Sequence, residues 1–237
     1  MIGASNKQIG DRSAIVFGAG DGLGKALAEV YLQAGYQVTR VSRPQCNLSD
    51  LESTVGFCEK LRSDGDEFDL CIFAAGVCCA GYFRDLPLES FQQSFAVHFF
   101  APLALMKHFA QQTKRNCRYI FVLSGTTELF LPGLSAYSLS KRALRDLIRF
   151  TTMEWPQTRV LRVWPGPMKT RFNEKAKIFG NFVLPPLLRG RRPEAVAQKI
   201  FYADSRNRSR LVISPAPFVL GRLLTPNMRS RLQWAKT

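Results

Sequence analysis

No apolar stretch in this sequence approaches the roughly 18 residues that a transmembrane helix needs, and the first ten residues, Met1 to Gly10, contain no apolar signal core. Neither a membrane span nor secretion is expected. Only two histidines occur, and none of the six cysteines (46, 58, 71, 78, 79 and 117) belongs to a Cys-x-x-Cys pair or lies near a histidine pair. That pattern supports neither a structural zinc site nor a disulfide framework, so no metal ligands are assigned. The thiols read as small apolar core residues of a cytoplasmic protein, with Cys78-Cys79 as a loop pair. Internal repeats and low-complexity linkers are also missing, and 237 residues suit one domain.

Acidic residues are scarce in the second half of the chain. The net charge of +15 comes from 33 Lys and Arg against 18 Asp and Glu. Residues 1–139 carry 12 basic and 13 acidic side chains, whereas residues 140–237 carry 21 and 5. Such asymmetry suits an anionic partner, such as an acidic protein, a membrane surface or an acidic substrate, or else a solvated basic face. Nucleic acid is the least favoured of these partners.

Short apolar runs alternate with helical patterns, which predicts an α/β fold: one doubly wound, Rossmann-like parallel sheet with helices on both faces. The expected strands are Ala14 to Phe17, Gln37 to Val41, Asp69 to Ala75, Tyr119 to Leu123, Arg159 to Trp164 and Leu211 to Ser214. Helices are expected from about Gly22 to Ala34, Leu88 to Thr113 and Ser135 to Trp155, with a last one begun by Pro193 and Glu194. Between Ser42 and Asp50 there is too little chain for a crossover helix, so the third strand is expected as a stub around Gln45 to Asn47.

Two local patterns carry chemistry. Gly18, Gly20, Asp21, Gly22, Leu23 and Gly24 fall between the first strand and the first helix, where glycines let the backbone approach a pyrophosphate and the helix start favours its charge. At the end of the second strand stand Ser42 and Arg43, with Arg40 nearby, instead of the carboxylate that would bind the 2′-hydroxyl of NAD. A hydroxyl and a guanidinium suit a 2′-phosphate, so NADP is favoured and NAD is less expected. The second pattern is Tyr137 and Lys141, one helical turn apart on one face, with Ser124 thirteen residues upstream at a strand end. An ammonium beside a phenol favours the phenolate, which would let Tyr137 trade a proton with a carbonyl oxygen held by Ser124.

Together these patterns resemble the short-chain dehydrogenase/reductase family over nearly the whole chain, including Pro165-Gly166-Pro-Met168-Lys-Thr170 after the sixth strand. The resemblance implies an oxidoreductase that moves a hydride between NADP(H) and a carbonyl or alcohol substrate. Tyr137 would be the general acid/base, Lys141 would bind the nicotinamide ribose, and Ser124 would orient the carbonyl. Met168 and Thr170 would lie near the carboxamide, Asn47 and Leu48 would flank adenine, and Ala75 and Gly76 would close the fourth strand against the cofactor.

Several positions depart from that family pattern. Phe17 replaces the usual Thr, Phe73-Ala-Ala75-Gly76 replaces Asn-Asn-Ala-Gly, and His98 replaces an Asn that helps hold a relay water. His98 could hold that water itself or be a hydrogen-bonded core residue. Residues 169–192 are expected as a substrate lid, with apolar Ile178, Phe179, Phe182, Val183, Leu184, Leu187 and Leu188 rimmed by Lys169, Arg171, Lys175, Lys177, Arg189, Arg191 and Arg192. This lid fits a carbonyl compound on an anionic carrier, a membrane-surface segment, or a solvated flap. Helix residues Arg142, Arg145 and Arg149 leave a homo-oligomer possible. The alternative functions are a nucleotide-binding regulator that has lost turnover and a binder of anionic surfaces.

Overall fold

The computed structural model describes residues 12–111, 117–183, 190–217 and 219. Its elements are β1 (Ser13–Phe17), α1 (Gly22–Gln33), β2 (Gln37–Val41), α2 (Leu51–Ser63), β3 (Leu70–Phe73), β4 (Cys79–Ala80), α3 (Leu88–Phe95), α4 (Ala101–Ala110), β5 (Arg118–Val122), α5 (Ser135–Glu154), β6 (Arg159–Trp164), β7 (Lys177–Ile178), α6 (Pro193–Ser205) and β8 (Arg210–Val212). Six strands form a parallel sheet in the order β2-β1-β3-β5-β6-β8, and β4 and β7 form a separate parallel pair. Chain direction across the sheet reverses between β1 and β3. Ligands in such folds bind at that switch point, outside the carboxyl ends of the strands.

Strand side chains alternate between faces, so each strand feeds two cores. Ala14, Val16, Leu70, Ile72, Ile120 and Val163 pack under α1 and α6, whereas Ile15, Phe17, Cys71, Phe73, Phe121 and Trp164 pack with α2, α4 and α5. Phe17, Phe73 and Phe121 are register partners on β1, β3 and β5. Their rings stack at centroid distances of 5.4 and 4.7 Å. Two departures from the family pattern, Phe17 and Phe73, are thus a single packing unit beneath the carboxyl ends of the strands. Replacing the middle ring, Phe73→Leu, keeps most of the apolar volume but breaks both stacks, and should cost about 1 to 2 kcal/mol in chemical denaturation.

The expected third-strand stub is not there. Residues 43–45 form a turn in which the Gln45 and Cys46 N–H groups donate to Ser42 O at 3.0 Å, and the chain returns through helix α2. Asp50 caps that helix by accepting from Glu52 N at 3.0 Å. The expected Leu88–Thr113 helix is interrupted by one π-helical turn, Ala96–Phe100, and Thr113 lies outside the described residues. The Ala101 N–H reaches back to Ala96 O, and Pro102 has no N–H to offer the carbonyl of His98. This widened turn carries His98. Of the expected lid, Leu184, Leu187, Leu188 and Arg189 lie outside the described residues.

Candidate active site

The glycine turn is held by close backbone contacts. Gly18 and Ala19 N–H groups both donate to Val41 O at 3.0 and 3.1 Å, tying the turn to the end of β2. A Cβ at Gly18 would stand 2.6 Å from Ala75 backbone atoms, and one at Gly24 would stand 2.1 Å from Gly18 O. No side chain fits either place. A Cβ at Gly20 would stand 3.4 Å from the Ser42 side chain and one at Gly22 3.2 Å from that of Thr170, so the turn meets both residues with bare backbone.

Asp21 caps α1, accepting from Gly22 N at 2.7 Å. Its other oxygen meets Lys175 Nζ at 2.6 Å and an Arg171 guanidinium nitrogen at 3.0 Å. These cations, Lys175 foremost, hold the Asp21 carboxyl below the usual carboxylate range. The segment after β6 and the glycine turn are therefore joined by charge across about 150 residues of chain. A cleft of about 610 Å³ opens there, lined by Asp21, Lys25, Thr170, Arg171 and Arg192 among others. At the end of β2, Ser42 Oγ donates to Gln45 Oε1 at 2.6 Å, and Arg43 is exposed beside it. Asn47 accepts from Ser49 N at 3.3 Å, while partly buried Leu48 lines a small cavity with Ala75, His98 and Lys141.

Ser124 and Tyr137 are brought together. Ser124 Oγ accepts from Thr126 N at 3.2 Å and from Thr126 Oγ1 at 3.1 Å. With its lone pairs so engaged, its own O–H is the group left to give, and Ser124 lies near enough to the Tyr137 phenol to favour its ionised form. Burial pushes the phenol up to about 12, against the opposing pull of Ser124. Lys141 sits one turn along α5, buried, with Nζ donating to Val122 O at 3.0 Å. Burial lowers its ammonium to about 8. In the free protein Lys141 is thus committed to a backbone carbonyl, and the phenol's shift is set by burial instead of by the ammonium that the spacing suggested.

Both nitrogens of His98 are engaged by protein groups. Nε2 accepts from Val77 N at 3.1 Å, which places the proton on Nδ1, 2.8 Å from Ser140 Oγ. Ser140 Oγ in turn donates to Tyr137 O at 2.9 Å, and the imidazole stands edge-on to the Tyr137 ring at 5.3 Å. Burial, with the nearby charge of Lys141, keeps this imidazole well below its usual range and therefore neutral.

Pro165 and Gly166 lead from β6 to Met168, which bridges to Arg191. Phe172 was not singled out from the sequence, yet its ring lies 5.8 Å from that of Tyr137 and 3.3 Å from where a Gly76 Cβ would stand. Thr126 was also missed; only its placement two residues after Ser124 hinted at a role. On α5, Arg145 pairs with Glu128 and Asp146, Arg149 with Asp146, and Arg142 lies over the Phe130 ring at 3.8 Å. The basic stripe is largely answered by its own chain.

A parallel sheet with a glycine-rich turn at its switch point is the architecture of dinucleotide-binding oxidoreductases. The short chain dehydrogenase family model matches residues 40–178, and the chain belongs to that family. It is 28% identical over 145 residues to 2,3-dihydro-2,3-dihydroxybenzoate dehydrogenase of Escherichia coli (strain K12), a match covering 56% of this chain and 58% of that enzyme. It is 25% identical over 264 residues to dehydrogenase/reductase SDR family member 7B of Xenopus tropicalis, covering 94% and 85%. Among solved structures, a Burkholderia cenocepacia short chain dehydrogenase in complex with NADP superposes with a TM-score of 0.74, at 22% identity, covering 93% of this chain and 100% of that one. A 4-hydroxyisoleucine dehydrogenase complexed with NADH gives 0.71, at 20% identity, covering 86% and 96%.

Proposed function

We propose that this chain is an NADP(H)-dependent carbonyl reductase, running in reverse as an alcohol dehydrogenase, whose reacting oxygen is held by Ser124 and Tyr137. The observation that carries this reading is the placement of Ser124 beside the Tyr137 phenol, with Thr126 filling the lone pairs of Ser124. Two hydroxyls are thereby poised to give hydrogen bonds to one carbonyl oxygen. The whole chain acts as one nucleotide-binding domain, with 169–192 as its lid.

The bare-backbone turn between Ser42 and Thr170 suits a dinucleotide. Gly18, Gly20, Gly22, Leu23 and Gly24 would hold its pyrophosphate at the start of α1. Asp21 would repel a phosphate, and its pairing with Arg171 and Lys175 offsets that repulsion. Ser42 and Arg43 would take the 2′-phosphate, Asn47 and Leu48 the adenine, and Ala75, Gly76, Pro165, Gly166, Met168 and Thr170 the nicotinamide end. The bound cofactor supplies the hydride that reaches the carbonyl carbon.

Tyr137, protonated at neutral pH, gives its proton to the carbonyl oxygen while Ser124 donates a hydrogen bond to that atom. Lys141 remains charged below its value of about 8, and its charge favours the phenolate left on Tyr137. Lys141 would also hold the ribose. His98 has no ring nitrogen to spare for a relay water and serves as a neutral strut between Val77 and the helix carrying Tyr137. Phe172 gives the substrate side an aromatic wall.

Oxidation of NADPH followed by absorbance with a panel of ketones tests the activity; no turnover on any of them would count against it. The cofactor assignment is tested by Ser42→Asp combined with Arg43→Ala. Charge-assisted bonds to a phosphate contribute roughly 1.5 to 3 kcal/mol. The ratio of kcat/KM for NADPH over NADH should therefore fall about 10- to 100-fold, and an unchanged ratio would remove the 2′-phosphate from these residues.

A further inference from the structure

Beside the candidate active site, three segments far apart in sequence are stapled into one rim. Gly81 N donates to Gly133 O at 2.9 Å, the Tyr82 ring stands edge-on to Phe182 at 5.5 Å, and Phe182 packs against Gly133. The lid strand β7 joins the same rim, with Lys177 N donating to Cys78 O and Phe179 N to Ala80 O. Underneath, Phe179 packs against Cys79 and Ala136, the neighbour of Tyr137. The rim presents Tyr82, Phe83, Phe130, Leu131, Ile178 and Val183 to the outside, with Phe83 76% and Val183 80% exposed. Single exposed apolar residues are ordinary, but several of them gathered on segments that are stapled together mark an interaction surface.

The charges beside this patch select the partner. Residues 169–177 carry Lys169, Arg171, Lys175 and Lys177 against Glu174, and Asp21 of the glycine turn answers Arg171 and Lys175 together with one carboxylate. Arg84, 86% exposed, adjoins Phe83 and pairs loosely with Asp85 at 3.5 Å, and Arg142 lies over Phe130. A second copy of the chain would bring like-charged rims together. An anionic bilayer accepts aromatic and aliphatic tips at its interface and answers the surrounding cations with its headgroups. We propose that this rim docks on anionic lipid surfaces, which places the Tyr137 side of the molecule against the bilayer and favours carbonyl substrates that partition into lipid. The docking itself does not depend on the reaction assigned above.

The test is flotation of the full chain with vesicles of phosphatidylcholine alone or with phosphatidylserine added, at low and high salt. The expected result is capture by the anionic vesicles, weakened by salt. The variant Phe83→Ser/Phe130→Ser/Val183→Ser should lose that capture about tenfold or more, with an unchanged thermal midpoint showing that it is folded. No capture of the native chain at low salt would overturn the proposal. So would equal capture of native chain and variant, which would assign binding to charge elsewhere. A dimer in sedimentation equilibrium that the same variant dissolves would make the rim a contact between copies, and would also overturn it.

Discussion

Replacing Tyr137 by Phe should lower kcat/KM for carbonyl reduction about 10³-fold, within the range that a positioned proton donor contributes, while leaving NADPH affinity nearly unchanged. The substitution removes one oxygen and keeps the ring that stands against His98 and Phe172. What disappears is the proton for the carbonyl and the hydroxyl beside Ser124. The loss should appear in kcat, because the proton moves only in the transition state. Steady-state kinetics with a ketone, alongside a fluorescence titration of NADPH, separate the two effects. Comparable turnover in the native protein and the variant would remove Tyr137 from the chemistry.

Lys141→Met should have opposite effects on activity and stability. Folding lowers this ammonium from 10.5 to about 8, so the native state bears the cost of a buried charge at neutral pH. Below pH 8 that cost is present in full; between 8 and 10.5 the folded chain releases the proton before the unfolded chain does, and the cost shrinks. Native stability from this group therefore rises with pH across that window. Met fills similar space without charge, and its gain is partly offset because Val122 O loses its donor. The expected net stabilisation at pH 7 is about 1 to 2 kcal/mol by chemical denaturation, with no upward trend from this site between pH 8 and 10.5. Turnover should nevertheless collapse, since the phenolate on Tyr137 loses its neighbouring charge. A variant less stable at pH 7 than the native chain would contradict the buried-charge account.

The site's chemistry was legible where it rests on short fixed spacings. The glycine turn between a strand and a helix, Tyr137 and Lys141 on one turn of α5, and Ser124 at a strand end are all local patterns. The structure adds what depends on distant chain. Asp21 finds Arg171 and Lys175 some 150 residues on, and no spacing rule connects them. Phe172 packs against Tyr137 from a segment beyond β6, and the rim on β4 and β7 rests on strands of two residues each, too short for any periodicity. Helix α2 escaped notice because only Thr54, Cys58 and Leu61 are buried along it, a thin stripe containing one β-branched polar residue. Without that helix, residues 45–47 looked like a strand needed to complete the sheet. His98 was legible as an oddity but not as a strut, since its role depends on a π-helical turn that faces the ring between Val77 N and Ser140 Oγ.

The central claim is hydride transfer between NADP(H) and a carbonyl held by Ser124 and Tyr137. It is tested most directly with NADPH carrying deuterium at the transferable position of the nicotinamide, incubated with the native chain and a ketone that it reduces, followed by mass spectrometry of the alcohol. The account predicts deuterium on the carbinol carbon of the product, formed by the native chain and about 10³-fold more slowly by Tyr137→Phe. An alcohol without the label, or labelled alcohol formed equally by both proteins, would contradict it.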